Sequence, residues 1–140
     1  MEAIRGSEFP DKVIPLIDSA VQSIKIVVFD WRWYPDDPGN PVQLFNQAIV
    51  RAVRRGVKVG VVSNCDKVLA VLKKEGCEVK KPETKNLIHA KLMIFDDKNV
   101  VIGSHNFTQY AFTMNHEISV FIPDCPKVAD FLRFFNTLFI

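Results

Sequence analysis

The hydrophobic positions follow two different periods along the chain, and these periods predict an alternation of helices and strands. Apolar residues at every third or fourth position indicate amphipathic helices, while short β-branched runs indicate buried strands. The predicted helices cover residues 11–23, 40–56, 66–76, a short segment near 107 and a last segment from 126. The predicted strands cover residues 24–29, 57–62, 77–79, 88–96, 99–102 and 117–122. This order predicts a single α/β domain with a mixed β-sheet and helices on both of its faces.

Local signals define the first two helices. In the first helix, Pro15 is expected in the first turn, because proline lacks the N–H that an interior position needs. In the second helix, Asn40 caps the start, Pro41 suits the first helical position and Gly56 ends the helix. The buried stripe of that second helix is predicted to consist of Leu44, Phe45, Ala48, Ile49, Ala52 and Val53.

Composition places the chain among ordinary globular domains. Of its 140 residues, 48% are apolar and 24% are charged, which excludes disordered, collagen-like and repeat proteins. A membrane span needs about 20 consecutive apolar residues, and no stretch approaches this. No secretory signal is visible either, so we expect a cytoplasmic protein without membrane insertion. The formal net charge of +2 permits a polyanionic partner without requiring one.

Two sets of residues are not expected to carry chemistry. Residues 6–9 read Gly-Ser-Glu-Phe, like a translated cloning site, so residues 1–9 are expected to be an expression-tag remnant and the domain to span 10–140. The cysteines Cys65, Cys77 and Cys125 are odd in number, widely spaced and without a CxxC pair. They are expected to be buried free thiols rather than disulfide or zinc ligands.

Candidate chemistry begins at the predicted strand over residues 88–96. His89 and Lys91 lie two positions apart, so their side chains share one face and form a compact site for an anion. Asp96 stands at an odd offset from His89, so it is expected to support the hairpin rather than the chemistry. Taken alone, a histidine on a strand is more often structural than catalytic, and only further residues at fixed spacing change that interpretation.

Those further residues follow in the next loop. Ser104 and Asn106 have the same parity and come just before a predicted helix start, where backbone N–H groups and the helix dipole favour a phosphate. Gly103 permits a close backbone approach. A Ser-x-Asn before a helix is more often a cap than a phosphate ligand. The fixed spacing across two strands and a loop is what points to a site.

The complete pattern, HxKx4Dx6GSxN from residue 89 to residue 106, resembles the signature of the phospholipase D superfamily without a gap. Residues 115–117, Asn-His-Glu, are similar to the family's Glu-bearing segment, and the element order over residues 10–140 is similar to its catalytic half. The resemblance implies a phosphodiesterase that needs no metal or other cofactor. It works in two steps, through a phosphohistidine that water hydrolyses.

The resemblance also implies a role for each matching side chain. His89 would be the nucleophile or the proton donor, and Lys91 and Asn106 would bind phosphate oxygens. Ser104 would support that pocket, and Glu117 would orient and polarise a histidine. An imidazole with a pKa of about 6.5 suits both nucleophile and acid at physiological pH.

The mechanism needs two histidines, whereas this chain has one HxK. His105 and His116 lie outside any such pairing. Short family members resemble EDTA-resistant bacterial endonucleases, in which two subunits face each other, so a homodimer with one shared site is implied. The aromatic residues of the last helix are expected either to bury that interface or to pack in the core: Phe131, Phe134, Phe135 and Phe139.

The predicted substrate is nucleic acid, DNA rather than RNA. Trp31 and Trp33 would stack on the bases of a single strand or would pack as a rigid loop. Arg54 and Arg55 would track a phosphate backbone or would form a solvated helix face. Three alternatives remain open: phospholipid-directed hydrolysis or phosphatidyl transfer, a non-catalytic nucleic-acid-binding module, and a catalytic piece of a longer protein.

Overall fold

A computed structural model describes residues 1–83 and 85–139, and within them seven strands form one mixed sheet. The strands are β1 (Glu2–Arg5), β2 (Ser23–Val28), β3 (Lys58–Ser63), β4 (Glu78–Lys80), β5 (Leu92–Phe95), β6 (Asn99–Gly103) and β7 (Ile118–Ile122). The helices are α1 (Phe9–Ser19), α2 (Pro41–Arg54), α3 (Asp66–Glu75), α4 (Gln109–Thr113) and α5 (Val128–Phe139), with a 3-10 turn at Gly6–Glu8.

The strand order is β1-β7-β6-β5-β2-β3-β4. Strands β2, β3 and β4 are parallel, whereas β5, β6, β7 and β1 continue the sheet in antiparallel pairs. Because β5 runs opposite to β2, its beginning lies at the edge where β2 and β3 end. The end of β6 and the beginning of β7 reach the same edge, which is called the site edge below.

Helices cover both faces of the sheet, which confirms the predicted fold class. Buried side chains of α1, α2, α3 and α4 pack on one face and form the first core. Helix α5 packs on the other face, over β2 and β3, and forms a smaller second core. The aromatic residues of α5 belong mainly to this second core: Phe135 is buried and Phe131 and Phe139 are half-buried, while Phe134 is 45% exposed.

The second helix agrees closely with its sequence signals. The Asn40 side chain accepts a hydrogen bond from the N–H of Val42 at 2.9 Å, and Pro41 begins α2. Gly56 follows the helix with a φ of +94°, a conformation that favours glycine. Leu44 departs from the predicted buried stripe, since it is 49% exposed.

Helix α1 begins earlier than predicted, and this changes the position of Pro15. Pro10 occupies the first turn, so Pro15 lies in the helix interior. Pro15 has no N–H to donate to the carbonyl of Asp11. Asp11 is exposed, so water can satisfy that carbonyl and the helix continues through the proline.

Residues 2–9 take part in the fold. Strand β1 pairs with β7, and the Gly6 N–H donates to the carbonyl of Glu117 at 2.9 Å. Ile4 and Phe9 are both buried in the first core. Residues 2–9 are therefore part of the domain, whereas the sequence predicts that they lie outside it.

The predicted hairpin joins β5 to β6, and Asp96 anchors it. Asp96 and Asp97 have φ values of +55° and +54°. The Asp96 carboxylate accepts hydrogen bonds from the N–H groups of Val21, Gln22 and Ser23, at distances of 2.7 to 3.2 Å. Burial raises the pKa of this carboxyl, but the three backbone donors outweigh burial and hold the pKa below its ordinary value.

Replacement of Asp96 with asparagine is expected to lower the free energy of unfolding by about 2 kcal/mol at pH 7, because charge-assisted bonds to backbone donors are lost. Since the folded-state pKa is lowered, this stabilisation is present above the unfolded-state pKa and is lost as pH falls through the folded one. Urea unfolding at pH 7 and pH 3 measures both effects. Asp97→Asn, at an exposed neighbour, is the matched control, and an equal loss in both variants would contradict the assigned role.

Candidate active site

His89 and Lys91 lie together at the site edge, in the extended segment that leads into β5. The Lys91 Nζ is 3.3 Å from the His89 Nδ1. The His89 ring is exposed, and its centroid is 5.7 Å from the ring of Phe29, which follows β2. A bond donated by the ammonium to Nδ1 leaves the proton of a neutral imidazole on Nε2.

Lys91 is half-buried and connected to the next strand. Its carbonyl accepts a hydrogen bond from the N–H of Gly103 at 3.2 Å. Burial lowers the pKa of the Lys91 ammonium below its ordinary value, and the negative charge of Glu117 opposes that shift. A partly desolvated cation attracts an anion more strongly than a fully solvated one.

Ser104 and Glu117 form a hydrogen-bonded pair beside these residues. The Ser104 hydroxyl donates to Glu117 Oε1 at 2.5 Å and accepts from the N–H of Ile118 at 3.0 Å. The Asn115 amide donates to Glu117 Oε2 at 3.1 Å. Both carboxylate oxygens are therefore held by polar partners. In the described part of the chain these partners are Ser104 and Asn115, not His89.

Gly103 fits the structure because β6 and β7 approach closely there. A Cβ added to Gly103 would lie 2.3 Å from the Cα of Ser119 and 2.5 Å from the carbonyl oxygen of Ile118. Both contacts are far too short for any side chain. The close backbone approach is thus between two strands of the protein itself.

Asn106 connects the motif to the end of β2. Its Oδ1 accepts a hydrogen bond from the N–H of Asp30 at 3.1 Å, which leaves the amide NH₂ as the group able to donate to a phosphate. The short helix predicted near residue 107 is present as α4, but it begins at Gln109, with Thr108 as its cap. Phe107 itself forms a bridge with Trp31, so Ser104 and Asn106 do not lie in the first turn of that helix.

Comparison with known proteins decides the family. Residues 13–139 match the family described as "Cardiolipin synthase, PLD-like domain". The chain belongs to the phospholipase D superfamily. Members of this superfamily are phosphodiesterases.

Curated relatives and solved structures agree with this assignment. Over 106 residues, 71% of this chain, the domain is 31% identical to the mitochondrial cardiolipin hydrolases of Mus musculus and Homo sapiens. It spans less than half of each relative, 45% and 39% respectively. Nuc from Salmonella typhimurium, a phospholipase D family member, is similar with a TM-score of 0.80 and 26% identity. NucT from Helicobacter pylori is similar with a TM-score of 0.79 and 21% identity, and both comparisons cover 98% of this chain and 93% of the other.

The tryptophans of this phospholipase D domain pack rather than project. Trp31 is 1% exposed, its ring N–H donates to Asn46 Oδ1 at 2.6 Å, and its ring meets Phe107 edge-on. Trp33 is half-buried against the first core. Of the two predicted roles of Trp31, stacking on bases and packing in a rigid loop, the buried ring therefore fits packing.

The arginines predicted to track substrate lie at the opposite edge of the sheet. Arg55 donates to the carbonyls of Ile17 and Ala20, both at 2.9 Å, just before the beginning of β2. Arg54 forms an ion pair with Glu75 at 3.8 Å. Because α2 runs back from the site edge, its last turn cannot reach a phosphate at His89. The predicted alternative, a helix face that does not contact substrate at His89, fits both residues better.

His105, the variable position of the motif, has a structural function that the sequence does not reveal. Its Nε2 is 2.9 Å from the Gly6 carbonyl, its Nδ1 is 2.7 Å from the Ser119 hydroxyl, and its ring stacks on Phe9. Burial lowers the pKa of His105, against the raising effects of Gly6 and Glu117. The ring thereby fastens the N-terminal segment to β7.

The three cysteines are free thiols. Cys77 and Cys125 are buried free thiols, whereas Cys65 is only half-buried. Burial raises the pKa of the Cys77 thiol to about 12.

The described residues contain no group of three or more His, Cys, Asp or Glu side chains able to hold a metal ion. None of the helices in residues 1–83 and 85–139 is long and apolar enough to cross a membrane.

Proposed function

We propose that this domain is a metal-independent nuclease that cleaves DNA, and RNA as a second substrate, at a site completed by two copies of the chain. The observation that carries the proposal is the contact between His89 and Lys91 beside the Ser104–Glu117 pair. Imidazole supplies a nucleophile or an acid near neutral pH. The Lys91 ammonium and the Asn106 amide neutralise the charge that develops on the phosphate, which is worth about 3 kcal/mol for each positioned donor.

The reaction has two balanced steps. In the first step, a ring nitrogen of one His89 attacks phosphorus, a P–N bond forms, and the P–O bond to the leaving group breaks. The protonated His89 of the second copy gives its proton to the leaving oxygen. In the second step, this now neutral histidine takes a proton from water, the water oxygen attacks phosphorus, and the P–N bond breaks. When substrate binds, the Lys91 ammonium donates its hydrogen bond to a phosphate oxygen instead of to the His89 Nδ1. The neutral His89 ring can then carry its proton on either nitrogen.

The site edge supports association of two copies. Two large apolar side chains are exposed beside the motif: Leu87, at 66%, precedes His89 by two residues, and Ile118, at 54%, follows Glu117. Burial of both against a second copy removes apolar surface from water. In that arrangement we expect the Glu117 carboxylate, which Ser104 and Asn115 fix, to orient a histidine of the other copy.

A phospholipid substrate is the second candidate, and the relatives favour it. The matching family description and the 31% identical hydrolases both name cardiolipin. Nucleic acid is preferred here because Nuc and NucT, whose similarity suggests a nuclease, match nearly the whole chain.

A substrate panel tests the proposal. Single-stranded DNA, duplex DNA, RNA, cardiolipin vesicles and bis(p-nitrophenyl) phosphate are each incubated with the protein, with and without excess EDTA. We expect cleavage of single-stranded DNA at a rate that EDTA does not reduce. Cleavage of cardiolipin alone would replace the nuclease proposal with the lipid one. Loss of activity in EDTA that divalent ions restore would contradict the metal-independent mechanism, and binding without cleavage of any substrate would contradict catalysis.

A further inference from the structure

A groove of about 630 Å³ opens next to the proposed catalytic residues. Its lining includes side chains from the loop after β2 and from the segment around α4: Asp30, Arg32, Tyr34, Gln109, Tyr110 and Asn115. It is called the tyrosine groove below, after the two aromatic residues on its walls. The mechanism proposed above leaves these two tyrosines without a function.

Two hydrogen bonds connect the tyrosine groove to the site. Asn115, on its lining, donates to Glu117 at 3.1 Å. The N–H of Asp30 donates to Asn106 at 3.1 Å. A substrate whose phosphate lies between Lys91 and Asn106 therefore has this groove as its immediate continuation.

Tyr110 presents an exposed aromatic ring on an anchored helix. It is 65% exposed, although its neighbours Ala111 and Phe112 in α4 are buried in the first core and hold the helix in place. An exposed aromatic ring does not contribute the stabilisation that its burial in the core would give. A tyrosine on an anchored helix offers a stacking surface at low cost in conformational entropy, because only two side-chain torsions become fixed on binding.

The other side of the groove is also positioned. The Tyr34 N–H donates to the Gln43 side chain at 2.8 Å, which fixes the loop that carries it. The Arg32 guanidinium makes two bonds to the Asp30 carboxylate, at 2.9 and 3.2 Å, and remains 60% exposed. This ion pair removes the repulsion that a free Asp30 would exert on a polyanion and leaves guanidinium N–H groups open to solvent.

We infer that the tyrosine groove receives unpaired bases of a single-stranded nucleic acid next to the cleaved phosphate, with Tyr110 as the stacking residue. The inference rests on the proposed nuclease function and adds a preference for single strands. Aromatic side chains stack on any base, whereas a duplex keeps its base faces covered. An acyl chain would meet charged and amide groups along half of this lining, so a lipid tail is a poor occupant.

The experiment compares Tyr110→Ser, Tyr110→Phe and Phe134→Ser with the unchanged protein. Phe134, half-exposed on α5 over the opposite face, is the matched aromatic control. Substrates are a short single-stranded DNA, its duplex and bis(p-nitrophenyl) phosphate. For Tyr110→Ser we expect the KM for the single strand to rise about tenfold, relative to any change for the small diester, with little change in kcat. Tyr110→Phe restores the KM, and Phe134→Ser leaves it unchanged.

The other possible results of this experiment would overturn the inference for different reasons. An unchanged KM for the single strand in Tyr110→Ser would overturn the inference and leave the nuclease proposal intact. An equal rise for the small diester would assign Tyr110 a purely structural role, and an equal rise for the duplex would overturn stacking on unpaired bases. Failure of the unchanged protein to cleave any nucleic acid, with the small diester still hydrolysed, would overturn both the inference and the nuclease proposal.

Discussion

Replacement of His89 with alanine is expected to reduce phosphodiester cleavage by about a thousandfold or more, since it removes both the nucleophile and the proton donor from a site that two copies share. The fold should not change, because the His89 ring is exposed and its contacts in the described residues include only Lys91 and the tilted ring of Phe29 as polar and aromatic partners. The measurement is the cleavage rate of single-stranded DNA and of bis(p-nitrophenyl) phosphate, together with the thermal unfolding midpoint.

His116→Ala is the matched control for this variant. His116 is also an exposed histidine, one residue from Glu117, but it lies outside the HxK motif. We expect it to keep activity close to that of the unchanged protein. Retention of more than about a tenth of the activity in His89→Ala would contradict its catalytic assignment, because general acid–base groups contribute at least a hundredfold.

Gly103→Ala is expected to have the largest effect on stability, a loss of about 3 kcal/mol or more in the free energy of unfolding. The added methyl would lie 2.3 Å from the Cα of Ser119 and 2.5 Å from the Ile118 carbonyl oxygen. Backbone atoms of a paired strand cannot move aside as a flexible side chain can. Chemical denaturation measures the loss, and activity should fall with it because Ser104 and Glu117 depend on the same strand pair.

Gly39→Ala provides the comparison. Nothing lies within 4 Å of a Cβ built at Gly39, and its φ is outside the region that favours glycine. This variant should unfold at nearly the same denaturant concentration as the unchanged protein. Equal midpoints for Gly103→Ala and Gly39→Ala would show that β6 and β7 separate at little cost, contrary to the packing described above.

The sequence predicts those features that depend on local pattern. Asn40, Pro41 and Gly56 define α2 because caps and helix ends involve neighbouring residues only. His89 and Lys91 meet because two residues separated by one position in an extended chain share a side. The sheet strands follow from β-branched runs that suit a buried surface.

Features that depend on distant partners are not visible in the sequence. Residues 2–5 contain no strong strand signal, and they form β1 only because the edge of β7, more than a hundred residues later, is available. Arg55 resembles a free cation in the sequence, yet two carbonyls at the end of α1 bind it. Trp31 follows a strand in a polar loop, and its burial depends on contacts with Phe45, Asn46 and Phe107.

The proposed catalysis depends most on the division of work between two His89 rings. The direct test mixes unchanged chains with His89→Ala chains in varied proportions, allows exchange, and measures activity at constant total protein. If one site needs both histidines, activity falls with the square of the unchanged fraction, to about a quarter at equal proportions. A linear fall, to about a half, would mean that each chain cleaves its substrate alone and would contradict the shared site.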